Sequence, residues 1–145
     1  MPLDAQPLDA LPVEFLYRIH LDTAAPIMVT GGPAGTKLIA PVTGGTFEGP
    51  RLRGTVVGPA GDWVTIGPAG QMTLDVRLCL VTDDGANIYC SYKGLLVRGE
   101  GGMRALGAPL FETGDERYAW LNGVQAVGIG TAGAEGVDYD IYALR

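Results

Sequence analysis

Apolar and polar residues alternate most regularly from Met72 to Thr82, where Leu74, Val76, Leu78 and Leu80 are separated by Asp75, Arg77 and Cys79. A two-residue period is that of a β-strand with two unlike faces. A second run, Ala86 to Lys93, follows Asp83-Asp84-Gly85, a turn sequence in which glycine takes positive φ without a steric cost. Loop length decides how the two runs pair. A two-residue Asp84-Gly85 turn sets Arg77 opposite Tyr92 and Cys79 opposite Cys90. A three-residue loop with a left-handed Gly85 shifts the register by one. Leu74, Val76, Leu78 and Leu80 then share a face with Ile88, Cys90 and Tyr92, and the other face collects Asp75, Arg77, Cys79, Tyr89, Ser91 and Lys93. The second register segregates polarity and is the one expected. Its polar face is either a wet outer surface or the wall of a pocket.

The same reading extends along the chain. Val13 to Leu21 is predicted as a first strand, with Phe15, Tyr17, Ile19 and Leu21 on one face and Glu14, Leu16, Arg18 and His20 on the other. Ile27–Thr30 and Thr36–Ala40 flank a turn, Gly31 to Gly35, that lacks the Gly-Lys-Ser/Thr ending of a phosphate loop. Arg51–Val57 and Trp63–Ile66 are predicted as separate strands joined by a Gly58-Pro-Ala-Gly-Asp-Trp63 turn. Glycines on both sides of Phe47-Glu48 suit a barrel corner or a site rim. Residues 94–98 either prolong the second strand of the hairpin or begin a new one past a bend at Gly94, and further strands are expected at 103–106, 124–130 and 137–144. Ala108–Thr113 reads as extended, and Asp115 as the cap of one brief helical turn carrying Tyr118 and Leu121.

This predicts an all-β, antiparallel fold of nine to ten short strands with at most one short helical turn. A sheet of that size must curl, close or split into two layers to protect its edges. A closed or nearly closed barrel is expected, with a sandwich as the alternative. Residues 1–12, punctuated by proline, are expected as a flexible lead-in to one domain spanning 13–145.

Composition narrows the partners. The chain has 145 residues, enough for one real core. Its 23 glycines and 10 prolines suit many strands and tight turns. With a net charge of −6 and no run of Lys or Arg, neither nucleic acid nor a membrane is expected as a partner. A polar amino end and the absence of a long apolar segment predict a cytoplasmic protein. Two cysteines, expected as free thiols, and a single histidine, His20, give no zinc pattern, so neither metal nor cofactor is expected. His20 reads as a strand-surface or pocket-rim imidazole, with a catalytic proton carrier as the alternative.

No nucleophile motif or dinucleotide fingerprint is present. What remains is a set of carboxylates, Glu48, Asp62, Asp75 and Asp84, with Arg53, Arg77 and several aromatic residues. Asp75 and Arg77 lie two apart on one strand face, within reach of each other. In a pocket, the arginine can hold an anionic or carbonyl oxygen while the carboxylate takes a proton. On an open surface the pair means little. Asp62 either caps its turn or presents an acid at a pocket mouth, and Asp83-Asp84 reads as turn chemistry.

Six segments together resemble one family: Thr43-Gly-Gly-Thr-Phe-Glu-Gly-Pro-Arg-Leu-Arg-Gly54, Gly61-Asp-Trp63, Leu74-Asp-Val-Arg77, Thr82-Asp-Asp-Gly85, Tyr118-Ala-Trp-Leu-Asn122 and Val137-Asp-Tyr-Asp-Ile-Tyr142. Across residues 13 to 144 the chain is similar to the DUF3237 family, also called UPF0311. The resemblance implies a small, lipocalin-like antiparallel barrel and a homo-oligomer, and assigns no catalytic roles. Gly58-Pro-Ala-Gly61, and Gly67-Pro-Ala-Gly70 where an aspartate-glycine turn is more usual, depart from the family pattern.

Two functions follow. The first is an enzyme using general acid/base chemistry, an isomerase, cyclase or lyase acting on an oxygenated cyclic or aromatic small molecule. Asp75 is then the base, Arg77 the oxyanion partner and Glu48 or Asp62 a second acid. Trp63, Tyr89 and Trp120 form an aromatic wall, and Lys93 and Asn122 contact the substrate. The second is a non-catalytic barrel that binds an apolar ligand, or a structural oligomer subunit. The first reading places Asp75 and Arg77 in one continuous cavity. The second turns Leu74, Val76, Leu78 and Leu80 into the lumen and leaves Asp75 and Arg77 outside or at a subunit contact.

Overall fold

A computed structural model describes residues 4–145. Its strands are β1 (Val13–Thr23), β2 (Ile27–Gly32), β3 (Gly35–Glu48), β4 (Arg53–Ile66), β5 (Met72–Thr82), β6 (Asn87–Gly99), β7 (Gly102–Gly107), β8 (Leu110–Glu112), β9 (Ala126–Gly133) and β10 (Gly136–Leu144). A 3-10 helix spans Glu116–Gly123, and the Asp115 carboxylate accepts the Arg117 N–H at its start. All pairings are antiparallel, in the order β1-β10-β9-β7-β6-β5-β4-β3. Pairing of β1 with β3 closes the ring. The fold is therefore a closed antiparallel barrel, with β2 appended to β3 and β8 to β6.

The strands are longer than the sequence pattern suggests. The expected turn Gly58-Pro-Ala-Gly61 lies inside β4 as a bulge: Val57 faces Cys79 and Gly61 faces Arg77, so Gly58 to Ala60 oppose Leu78 alone. A bulge of this kind bends the strand without ending its pairing. Residues 41–48 likewise continue β3. The glycines near Phe47 do allow close backbone approach. A Cβ at Gly45 would sit 2.1 Å from the His20 carbonyl oxygen, and one at Gly49 1.7 Å from that of Leu16. Residues 4–12 carry no strand and are exposed. The first three residues of the expected lead-in lie outside the described residues.

The hairpin takes the three-residue loop. Thr82 N–H donates to the Ala86 carbonyl at 2.9 Å, Gly85 has φ of 92°, and Leu78 pairs with Cys90 and Arg77 with Ser91. Leu74, Val76, Leu78 and Leu80 are buried, together with Ile88, Cys90 and Tyr92. They meet Tyr17, Ile19, Leu21, Phe47 and Ile141 in one core that fills the barrel. At one end Leu121 and Tyr118 of the 3-10 helix, with Leu52 and Ala86, are buried against that core. Asp84 fastens the hairpin loop there. Its carboxylate accepts from Thr82 Oγ1 at 2.6 Å and from the Tyr118 hydroxyl at 2.9 Å. Both thiols are free. Burial pushes the Cys90 thiol up to about 12.

Candidate functional site on the outer wall

Since the leucine face points inward, Asp75 and Arg77 point outward. The expected placement of this pair in a lumenal cavity is corrected by the structure: the lumen beside them is packed with side chains. The outer wall nevertheless carries a concavity. A cavity of about 860 Å³ runs across β3, β4, β5 and β6 and brings together Lys37, Trp63, Asp75, Arg77 and Lys93. Register explains the grouping. Asp75 faces Lys93 across β5–β6, Lys37 faces Thr65 across β3–β4, and Ile39 faces Trp63. All are outward positions of neighbouring strands. A smaller cavity of about 440 Å³ continues along the same wall, sharing Asp75, Arg77 and Lys93 and adding Tyr89.

Arg18, Arg51, Arg53, Arg117 and Arg145 each form an ion pair with a carboxylate. Among the described residues Lys37, Arg77 and Lys93 form none, nor do Arg98 and Arg104, but only the first three are gathered in one cavity. The expected contact between Asp75 and Arg77 is not made. Arg77 instead leans toward the Trp63 ring, 5.7 Å from its centroid, and Lys37 Nζ donates to Thr65 Oγ1 at 2.5 Å. Trp63 is 41% exposed, so its ring is available to a ligand.

Asp62 lies directly behind this wall. It pairs with Val76, whose side chain is lumenal, so its carboxylate is on the inner side of β4. It accepts the Asp75 N–H at 3.1 Å. Burial raises it to about 6, the Asp75 N–H opposing this, because an ion is poorly solvated in an apolar interior. Burial likewise pushes the nearby Tyr139 phenol up to about 12, and the negative charge of Asp62 adds to the shift. Asp62 is thus neither the cap of a turn nor a rim acid of the outer cavity. It anchors the backbone of Asp75.

Three other expected residues stand elsewhere. Glu48 bonds Arg53 at 3.0 Å on a different wall, in a cavity of about 830 Å³ that also holds Arg18, His20 and Asp138. There the His20 Nδ1 lies 2.8 Å from Asp138 and its Nε2 3.1 Å from Asp22, and Arg18 makes two bonds to Asp140. Trp120 lies under Arg51, 3.6 Å from ring centroid to guanidinium. Asn122 accepts the Thr113 N–H and donates to the Thr113 carbonyl, bracing the closed end. Sequence reasoning missed Lys37 as a site residue, since only the β3–β4 and β4–β5 registers together carry it, through Thr65 and Thr73, to the wall that holds Asp75. Among the described residues, no group of three or more His, Cys, Asp and Glu side chains is placed to hold a metal ion.

Several proteins share this architecture. A β-barrel-like protein from Acinetobacter baumannii is 31% identical, with a TM-score of 0.88 over 99% of this chain and 100% of that one. A structure described as an enzyme from Penicillium herquei is 28% identical, with a TM-score of 0.82 over 99% of this chain and 100% of that one. A protein of unknown function from Rhodopseudomonas palustris, 23% identical, has a TM-score of 0.87 over 95% of this chain and 100% of that one, a likeness of fold alone. No curated protein matches the chain. Residues 11–144 match the model described as protein of unknown function (DUF3237), and the chain belongs to that family.

Proposed function

We propose that the protein is a small-molecule enzyme that uses general acid/base chemistry at the outer-wall cavity. The observation that carries this reading is the convergence of Asp75, Arg77, Lys93 and Trp63, from three strands, in one cavity of about 860 Å³. Asp75 takes a proton from carbon next to a carbonyl, leaving an enolate. Arg77 and Lys93 hold the developing oxyanion, and Trp63 lies against the ring of an oxygenated cyclic or aromatic substrate. Return of the proton at another carbon completes an isomerisation, while loss of a leaving group completes an elimination. The Asp62 carboxylate fixes the Asp75 backbone from behind. The description of the Penicillium herquei relative as an enzyme supports catalysis over passive binding.

The second reading, a non-catalytic subunit of a homo-oligomer, is favoured by two observations. Leu74, Val76, Leu78 and Leu80 line the lumen with Asp75 and Arg77 outside, and exposed apolar side chains, Ile27, Met28 and Val29, line the appended strand β2. Untargeted mass spectrometry of a metabolite extract incubated with the protein separates the two. The enzyme is expected to convert at least one compound, and Asp75→Asn to slow that conversion by about 100-fold or more without a change in melting temperature. Conversion unchanged in Asp75→Asn removes the assignment of the base. An extract left untouched by the wild type, with protein in solution as a stable oligomer, favours the structural subunit.

A further inference from the structure

We infer that the outer-wall cavity is specific for a ring compound carrying a carboxylate or an equivalent anionic group, which Lys37, Arg77 and Lys93 bind together. This names the substrate class of the proposed active site and rests on that reading. Three cations face one carboxylate, Asp75, in the same cavity, although the chain as a whole carries −6. Among the described residues none of the three forms an ion pair, with Asp75 or otherwise, whereas Arg18, Arg53 and Arg117 on other walls are each bonded to a carboxylate; Arg98 and Arg104 are also without one but stand outside this cavity. Like charges gathered on neighbouring strands repel one another, and a bound anion relieves that repulsion. A neutral ligand does not.

The apolar half of the cavity gives the rest of the ligand its shape. Trp63 faces Ile39 across β3–β4 and presents a partly exposed ring, with the Arg77 guanidinium over it, 5.7 Å from the centroid. An aromatic face accepts a flat ring by stacking. The guanidinium beside it meets a carboxylate in two parallel hydrogen bonds. Ring and anionic group therefore belong on one planar molecule. The acidity of the whole protein repels anions at long range, so recognition falls to these three side chains at short range.

Trp63 also supplies the reporter. In a Trp120→Phe background it is the one tryptophan, and its fluorescence is titrated with salicylate and, separately, with salicylamide, which has the same ring without the charge. Salicylate is expected to quench saturably with a Kd of roughly 1 mM, and salicylamide to bind about 10-fold more weakly. Added salt weakens salicylate selectively. Arg77→Gln and Lys93→Gln each weaken it, and the double variant abolishes saturation. Equal binding of the two compounds, undiminished binding in the double variant, or no saturable quenching by salicylate overturns the inference. Asp75→Asn keeps this result apart from the catalytic one. By removing the sole opposing charge it tightens salicylate, while the proposed mechanism requires it to lose turnover. Tighter binding with unchanged turnover supports the anion site and defeats the base; lost turnover without any anion preference does the reverse.

Discussion

Two concavities of nearly equal size, about 830 and 860 Å³, lie on the outside of this barrel and share strands β3 and β4. Both are lined by charged residues, yet they treat charge in opposite ways. On the first, Arg18 is bonded twice to Asp140, Arg53 to Glu48 and Asp83, and His20 stands between Asp138 and Asp22. Most of these pairs join β1 to β10 or β3 to β4, on either side of the β1–β3 pairing that closes the ring. On the second, three cations are held without ion pairs beside an exposed tryptophan. The first wall satisfies itself. The second leaves its cations without carboxylate partners, and a cavity's charge content alone does not reveal that difference.

The largest test lies behind the second wall. Asp62 is raised from 3.8 to about 6 in the folded protein by burial. The folded chain thus retains a proton that the unfolded chain releases, and stability falls as pH rises from about 4 to about 6 and stays lower above that. Asparagine keeps an oxygen for the Asp75 N–H but never ionises. Asp62→Asn is therefore expected to match the wild type near pH 4 and to exceed its stability at pH 7 by roughly 2 kcal/mol, measured by urea denaturation at both pH values. A stabilisation equal at the two pH values means that Asp62 is solvated, and that the wall has no buried charge at its back.

How much of this was legible in the sequence follows from how local each feature is. The register of the central hairpin was, because Asp83-Asp84-Gly85 and the alternation on either side both lie within one contiguous stretch. Barrel closure was expected from strand number, and the helical turn from Asp115. The β4 bulge was read as a turn since Gly58-Pro-Ala-Gly61 has turn composition, and only pairing with both β3 and β5 keeps the strand continuous through it. The direction in which the polar face points was not legible. An alternating strand fixes two faces, and a closed barrel decides which of them is inside. That choice moved Asp75 and Arg77 from a lumen to an outer wall. It also drew in Lys37, distant in sequence, and left Glu48, Trp120 and Asn122 at other places in the fold.

An intermediate effect comes from removing one charge on each wall. Asp140→Asn strips Arg18 of its two-bond partner, in a position joining β1 to β10. It is expected to lower the melting temperature by about 1–2 °C at low salt, and by less in high salt. Lys93→Gln removes a cation from a group without ion pairs, so its melting temperature is expected to stay level or rise slightly at low salt. Opposite or null responses on the two walls express the difference between a satisfied and an unsatisfied surface. A clear loss of stability in Lys93→Gln makes the second wall structural like the first.

The smallest effect belongs to His20. Its imidazole is raised above the ordinary histidine value, foremost by the Asp138 hydrogen bond, with Asp22 adding to it. A raised value means that the protonated form is favoured by folding. The stability it contributes is complete below about pH 6.5 and is lost as pH rises through the folded-state value. His20→Gln should therefore cost most near pH 5.5 and nothing by about pH 9. The side chain is 37% exposed, so solvent screens the pair and the cost at low pH is only a few tenths of a kcal/mol. Thermal melts of the two proteins at both pH values measure it, with salt as a control that reduces the gap. A gap that widens toward high pH has the wrong sign for an imidazolium between two carboxylates. It would make His20 a neutral hydrogen-bonding group and remove one cation from the wall whose charges are paired.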